Sequence, residues 1–247
     1  MTDRRIRLFV ETPLAAGVAC ALASPQAHYL VKVMRCRTGD RVRVFDGRSG
    51  EWSAVVDVAK REVRVLVDRL ERAQVKARGP VLALAPIRRA RFEWAVEKAT
   101  ELGMRVLQPV LTERSTDERI KKERLQAIAI EAAEQSERLT VPVIAPPLPL
   151  AAWLAARALA VPLYVALERS AAPSLLDAVA AEGPGDLLIG PEGGFGPLDR
   201  THIAHAKAGV AVRLGPTILR AETAAVAGLA VMAMAWDARA SSPGAEA

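Results

Sequence analysis

Leu187-Leu188-Ile189-Gly190-Pro191-Glu192-Gly193-Gly194-Phe195-Gly196 joins an apolar run to a loop with glycine at four of its seven positions. The three apolar residues read as the end of a buried strand. Without a Cβ, the loop that follows can bring backbone N–H and C=O groups directly against a ligand. Open α/β sheets bind their ligands just beyond the carboxyl ends of their strands. A second segment, Val212-Arg213-Leu214-Gly215-Pro216-Thr217-Ile218-Leu219-Arg220-Ala221-Glu222-Thr223, repeats the order strand, Gly-Pro loop, helix. Two such loops so close in sequence predict one shared pocket.

A phosphate cradle is the first alternative to test. A P-loop ends in Gly-Lys-Ser/Thr, whereas Leu198 and Asp199 follow these glycines and the next lysine is Lys207. The dinucleotide fingerprint opens the first βα turn of its domain and has an acid about 20 residues on. Here the glycines come late in the chain, and Glu192 would set a negative charge against a pyrophosphate. A tight structural turn with no ligand is the plain alternative.

With 247 residues, of which 51% are hydrophobic, the chain has enough apolar material for one or two sizeable cores. No apolar run reaches the ~20 residues of a membrane span. The start, Met1-Thr2-Asp3-Arg4-Arg5, lacks the apolar segment of a signal peptide, so a cytoplasmic protein without a membrane partner is expected. Cys20 and Cys36 have neither metal-site spacing nor an evident disulfide role. His202 and His205 share a helical face without a Cys or acidic companion, so no metal is expected. No G-x-S-x-G elbow is present, which removes the usual hydrolase readings. The net charge of +6 is unevenly spread. Residues 1–79 hold 16 Lys/Arg against 9 Asp/Glu, and the rest holds 18 against 19. A basic small domain beside a neutral larger one suits a nucleic-acid grip next to a ligand site; a solvated basic surface is the other reading.

Along the chain, residues 5–10 read as a strand. Ser24-Pro25 marks a helix start, with Ser at the N-cap and Pro at the first helical position. Alternation in Arg41-Val42-Arg43-Val44 and Val63-Arg64-Val65, with an Asp46-Gly47 turn between, predicts half-buried antiparallel strands. Residues 71–79 are polar and aperiodic and read as a linker. Beyond them, strands are expected at 81–85, 106–110, 162–167 and 186–189. Helices are expected at 91–102, 122–138, 197–208 and 221–236. That alternation predicts a largely parallel sheet covered on both faces. The tail 240–247 is expected to be disordered.

Gly190-Pro191-Glu192-Gly193-Gly194-Phe195, followed by Leu214-Gly215 and Ile218-Leu219-Arg220-Ala221-Glu222-Thr223-Ala224, resembles the paired motifs of the SPOUT methyltransferases. Within them it is similar to the family that methylates N3 of a uridine in 16S ribosomal RNA. Further blocks match across both domains: His28-Tyr29-Leu30 through Met34-Arg35, Lys98 to Gly103, Thr112-Glu113-Arg114-Ser115, and Glu131 to Arg138. Departures are Tyr29 where a second His is usual, Arg88 where a lysine is common, Leu125 where a tryptophan is common, and Pro197-Leu198-Asp199 where the family carries a serine and a glutamate. The resemblance implies an α/β fold: a small N-terminal β-barrel, PUA-like and RNA-binding, over 1–72, and a SPOUT domain with a trefoil knot over 79–240. It also implies a homodimer acting on 16S rRNA within the small ribosomal subunit.

The cofactor so implied is S-adenosylmethionine, which carries an adenine, a ribose and an amino-acid end but no phosphate. Backbone groups of Gly190, Gly194, Leu214 and Leu219 are expected on its polar edges. Leu167, Ile189 and Ile218 are expected over the adenine, with Pro191, Glu192, Gly215, Arg220 and Thr223 completing the site. N3 of uridine must lose its proton to become a nucleophile, and a nearby cation favours the anion. Arg220 is the expected catalytic cation. Glu222 is either the base or the partner that orients Arg220. Arg35, Arg37, Arg88, Arg114, Gln135 and Arg138 are expected to hold RNA. A non-catalytic RNA-binding or ribosome-assembly protein and a nucleotide-binding enzyme are the competing readings.

Overall fold

A computed structural model describes residues 3–59, 62–116, 120–158, 160–168 and 171–240; residues 241–247, most of the tail expected to be disordered, lie outside these. The chain forms two compact units. One is Met1–Ala77 with Ala133–Val141, the other Arg78–Ala132 with Pro142–Ala247.

The first unit contains β1 (Asp3–Phe9), β2 (Ala19–Ala21), α1 (Ser24–His28) continued by a π-helical turn Tyr29–Val33, β3 (Arg41–Phe45), β4 (Glu51–Val58) and β5 (Val63–Arg72). Their order across the sheet is β1-β3-β4-β5-β2. β3, β4 and β5 pair antiparallel, with Val44 opposite Trp52 and Val56 opposite Val65. β1 joins β3 in parallel. The alternation has its expected cause. Val42, Val44, Val56 and Val65 turn into a core with Leu8 and Leu30, while Arg41 and Arg43 take the opposite face, where they pair with the half-exposed Asp68 and the buried Glu51. Three details differ from expectation. Helix α1 starts at Ser24, so Ala23 takes the N-cap place and no side chain caps it. Strand β2 carries no sequence signal, being Ala-Cys-Ala held by pairing with β5. β5 runs into the presumed linker because Glu51 of β4 pairs with Arg72.

Arg7 is buried on the other face of β1, away from that core. Its side chain is 5% exposed and its Nε lies 2.5 Å from Oε2 of the fully buried Glu51, while the guanidinium sits over the Phe45 ring at 4.5 Å. NH1 donates to the carbonyls of Ala133 and Glu134, and NH2 to that of Arg138. The first two belong to the last turn of α3, where a helix leaves carbonyls without intrahelical donors, and the third lies just beyond it. Residues 133–141 therefore belong to this unit because a buried arginine satisfies them. Removing one member of such a buried pair costs about 3–5 kcal/mol.

The second unit contains β6 (Val81–Leu84), α2 (Arg89–Glu101), β7 (Val106–Leu111), α3 (Lys122–Gln135, whose last three residues count with the first unit), β8 (Val143–Ile144), β9 (Leu148–Pro149), α4 (Leu150–Ala156), β10 (Leu163–Ala166), α5 (Leu175–Glu182), β11 (Asp186–Ile189), α6 (Pro197–Ala204), β12 (Gly209–Val212) and α7 (Ala221–Ala240). The sheet runs β12-β10-β11-β6-β7-β8, with β9 also on β7, and every pairing is parallel. Both faces are covered, as successive residues of β11 demonstrate. Leu188 packs with Trp153 of α4, whereas Leu187 lies against Gly228 of α7. The same holds in β10. Leu163 and Val165 share the α4 face, and Tyr164 turns to α5, where its hydroxyl donates to Gly183 O at 2.5 Å. Parallel strands buried on both sides read as continuous apolar runs, which is why 186–189 was legible. Helices α4 and α5 were not, since each is only about two turns long, too short for an apolar stripe such as Leu175, Ala178 and Val179 to stand out among the alanines. No helix among the described residues is long and apolar enough to cross a membrane.

Candidate functional site

The carboxyl ends of β10, β11 and β12 open onto a cavity of about 620 Å³. Both Gly-Pro loops line it, so the pocket expected from the two segments exists. Leu167 closes it from the end of β10. Ile189, Gly190, Pro191, Glu192 and Gly194 come from the β11 loop. Leu214, Gly215, Ile218, Leu219 and Arg220 come from the β12 loop. Gly194 has φ +69°, a left-handed conformation that a side chain at this point would strain. A Cβ there would also stand 3.2 Å from Glu168 Oε1.

Two expected residues lie outside the lining. Thr223 is exposed on the first turn of α7. Glu222 is 8% exposed, and its Oε1 faces Arg91 Nε of α2 at 3.6 Å rather than Arg220, so a role in orienting Arg220 does not follow from the geometry. Its Oε2 is buried without a hydrogen-bond partner. Arg91 also reaches Glu192 Oε1 at 3.2 Å and thereby ties the cavity loop to the start of α7. Sequence reading missed Arg91, because one arginine on an amphipathic helix looks like any solvated one. It also missed Glu168, Arg200 and Arg213, which line the cavity.

The lining therefore combines two carboxylates, Glu168 and Glu192, with three guanidinium groups. A lining with charges of both signs suits an amino-acid end, which carries one charge of each sign. The volume lies within the ~300–1,000 Å³ typical of small-molecule sites. A nucleoside bearing an amino-acid end fits both constraints. Among the described residues no cluster of three His, Cys, Asp or Glu is arranged to hold a metal.

The residues expected on RNA divide between the two units. Arg35 and Arg37 are exposed after the π-helical turn. Arg35 is itself left-handed at φ +54°, and Arg37 N donates to Asp40 Oδ2 at 2.9 Å. Gln135 is exposed at the end of α3. Arg138 is only partly exposed; burial lowers its pKa to about 10, which leaves it charged at neutral pH. In the second unit Arg88 is exposed at the N-cap of α2, and Arg114 NH1 donates to Gly193 O at 2.7 Å.

Comparison with known proteins agrees with this geometry. Residues 77–233 match the RNA methyltransferase domain family, and residues 22–68 match the RNA methyltransferase PUA domain. The Rickettsia conorii protein named Ribosomal RNA small subunit methyltransferase E is 32% identical over 91% of this chain and 93% of its own length. Its Synechocystis namesake is 34% identical over 91% and 76%. Among solved structures, a Legionella pneumophila methyltransferase with the bound cofactor SAM superposes with a TM-score of 0.83 at 27% identity, covering 94% of this chain and 98% of that one. The Neisseria gonorrhoeae Ribosomal RNA small subunit methyltransferase E bound to S-adenosyl methionine gives 0.80 at 26%, again over 94% and 98%. With glycine loops, paired units and identity along nearly its whole length in agreement, the chain belongs to the ribosomal RNA small subunit methyltransferase E family.

Proposed function

We propose that this protein transfers a methyl group from S-adenosylmethionine to N3 of a uridine in small-subunit ribosomal RNA. One observation carries the reading: a single cavity of mixed charge, built from both Gly-Pro loops at the carboxyl ends of parallel strands. Backbone groups of Gly190, Gly194, Leu214 and Leu219 hold the cofactor's polar edges, and Leu167, Ile189 and Ile218 cover its adenine. When bound, S-adenosylmethionine supplies a methyl group on a positively charged sulfur, which requires a deprotonated nitrogen as acceptor. Arg220, at the cavity wall, stabilises the negative charge that spreads over O2 and O4 once N3 loses its proton. Glu222, which pairs with Arg91 beside the cavity, is the second catalytic residue of this scheme, as the base or as the partner that orients Arg220. The protein's main contribution is positioning.

Finer architecture belongs to the same proposal. The domains are 1–72, a PUA-like barrel that grips RNA, and 79–240, a SPOUT domain with a trefoil knot. The knot rests on the likeness of the two Gly-Pro loops to the paired motifs of the SPOUT methyltransferases. The protein works as a cytoplasmic homodimer on the small ribosomal subunit, holding RNA through Arg35, Arg37, Arg88, Arg114, Gln135 and Arg138. Support for a dimer comes from α7, which is apolar almost throughout and yet leaves Met234 65% exposed.

Calorimetry with S-adenosylmethionine and with ATP, followed by mass spectrometry of treated ribosomal RNA, tests the proposal. Binding of S-adenosylmethionine alone and a methyl group on uridine N3 are expected. ATP binding in its place would overturn the reading, and a methyl on ribose O2′ or on guanine would overturn the substrate.

A further inference from the structure

The loop Gly190–Gly196 runs into α6, whose N-cap residue Gly196 has no side chain to offer the N–H groups of the first turn. The missing oxygen comes from the segment after β7. Glu113 Oε2 accepts from Leu198 N at 2.8 Å and from Asp199 N at 3.2 Å. Asp199 returns the contact, its Oδ2 accepting from Gly196 N at 3.0 Å and from Glu113 N at 3.1 Å. Asp199 is 4% exposed. Two carboxylates thus satisfy four backbone N–H groups with charge-assisted hydrogen bonds, at a helix N-terminus where negative charge is favoured. The adjacent Arg114 adds its hydrogen bond to Gly193 O. Gly196 itself has an ordinary φ of −72°. Its lack of a side chain matters for room, because a Cβ there would collide with Glu113 Oε2.

We propose that Glu113 and Asp199 are positioning residues that clamp the glycine loop, from both its own helix and the segment after β7, in the shape that receives the cofactor. Neither carboxylate lines the cavity, so each acts through the loop backbone. The effect on cofactor affinity rests on the S-adenosylmethionine reading of the cavity; the clamp itself does not. A loop held before binding spares the ordering cost that a slack one carries into the complex.

Glu113→Ala, Glu113→Gln and Gly196→Ala decide the matter in the full-length protein. Amide hydrogen exchange without cofactor reads the clamp, and calorimetry with S-adenosylmethionine reads its consequence. In Glu113→Ala the amides of Leu198 and Asp199 are expected to exchange about tenfold faster, and cofactor affinity to fall about tenfold, as for loss of a helix cap. Glu113→Gln keeps an acceptor oxygen in place and should recover most of both. Gly196→Ala should reproduce the loss with Glu113 intact, by displacing its carboxylate. Unchanged exchange in Glu113→Ala would remove the clamp. Faster exchange with unchanged cofactor affinity would remove its positioning role. Failure of the wild-type protein to bind S-adenosylmethionine would strike the functional reading, with the exchange measurement still deciding the clamp.

Discussion

Gly194 and Glu222 teach opposite lessons about single residues. Gly194 is legible as a loop glycine, and its left-handed φ of +69° supplies the reason that no other residue suits it. Gly194→Val is expected to weaken S-adenosylmethionine binding by several kcal/mol, because the β-branched side chain must strain the loop and intrude on Glu168. Calorimetry on the folded variant checks it; wild-type affinity would take Gly194 out of the site. Glu222 is legible as a charged residue at a helix start, but its neighbour is not. Arg91 comes from a different helix, and sequence distance carries no information about such pairs. Asp199 was noted only as a departure from the family's glutamate, and its carboxylate proves to be buried against loop amides.

Asp46 shows how one turn sustains the strands on either side. Its carboxylate accepts from the N–H of Leu14, Arg48 and Ser49 and from the Ser49 hydroxyl. Burial alone would raise its pKa; the hydrogen bonds outweigh burial and hold it below the ordinary carboxylate value. A depressed folded-state pKa contributes stability that is present above the unfolded value and is lost as pH falls through the folded one. Asp46→Asn should therefore lower the melting temperature at neutral pH and flatten its fall on the acid side. Melting curves from neutral to strongly acid pH would show this, and parallel curves for the two proteins would refute it. Helix α7 poses the complementary question, because an apolar helix with exposed Met234 calls for a further partner. Sedimentation should find a dimer at micromolar concentration, and Met234→Glu should shift it toward monomer. A wild-type monomer under those conditions would count against α7 as an interface.

The charge map changes most when the molecule is taken as a whole. The excess of 16 Lys/Arg over 9 Asp/Glu in residues 1–79 suggests a broad basic face. Yet Arg7 is buried, and Arg41, Arg43, Arg64 and Arg69 are each engaged by a carboxylate. Arg35 and Arg37 are among the basic residues of the first unit that remain exposed, with Lys32, Arg48, Arg72 and Lys76, and are the two expected to contact phosphates. Phosphate contacts are sequence-independent and release counterions. Arg35→Ala and Arg37→Ala should each weaken RNA binding and reduce the salt slope by about one unit, with cofactor affinity unchanged. Binding titrations at several salt concentrations would read both effects, and an unaltered slope would exclude these residues from the RNA contact.

Periodicity and glycine placement were enough to identify β6, β7, β10, β11 and the strand into the second Gly-Pro loop, the two loops themselves and the pocket they share. These features arise from local rules: apolar runs for strands buried on both faces, and glycine where backbone must approach a ligand. They were not enough for β8 and β9, which lie in a proline-rich stretch that reads as a connection. Strand β2, helices α4 and α5, the Arg7–Glu51 pair and the Glu113–Asp199 clamp stayed hidden until the chain was folded. The two helices are short and alanine-rich, whereas the strand, the pair and the clamp join segments far apart in sequence, where pairing depends on side-chain direction and on which polar groups burial leaves without water. A charge count cannot distinguish a paired arginine from one facing solvent. Folding makes that distinction, because a buried cation must find its acceptors within the protein.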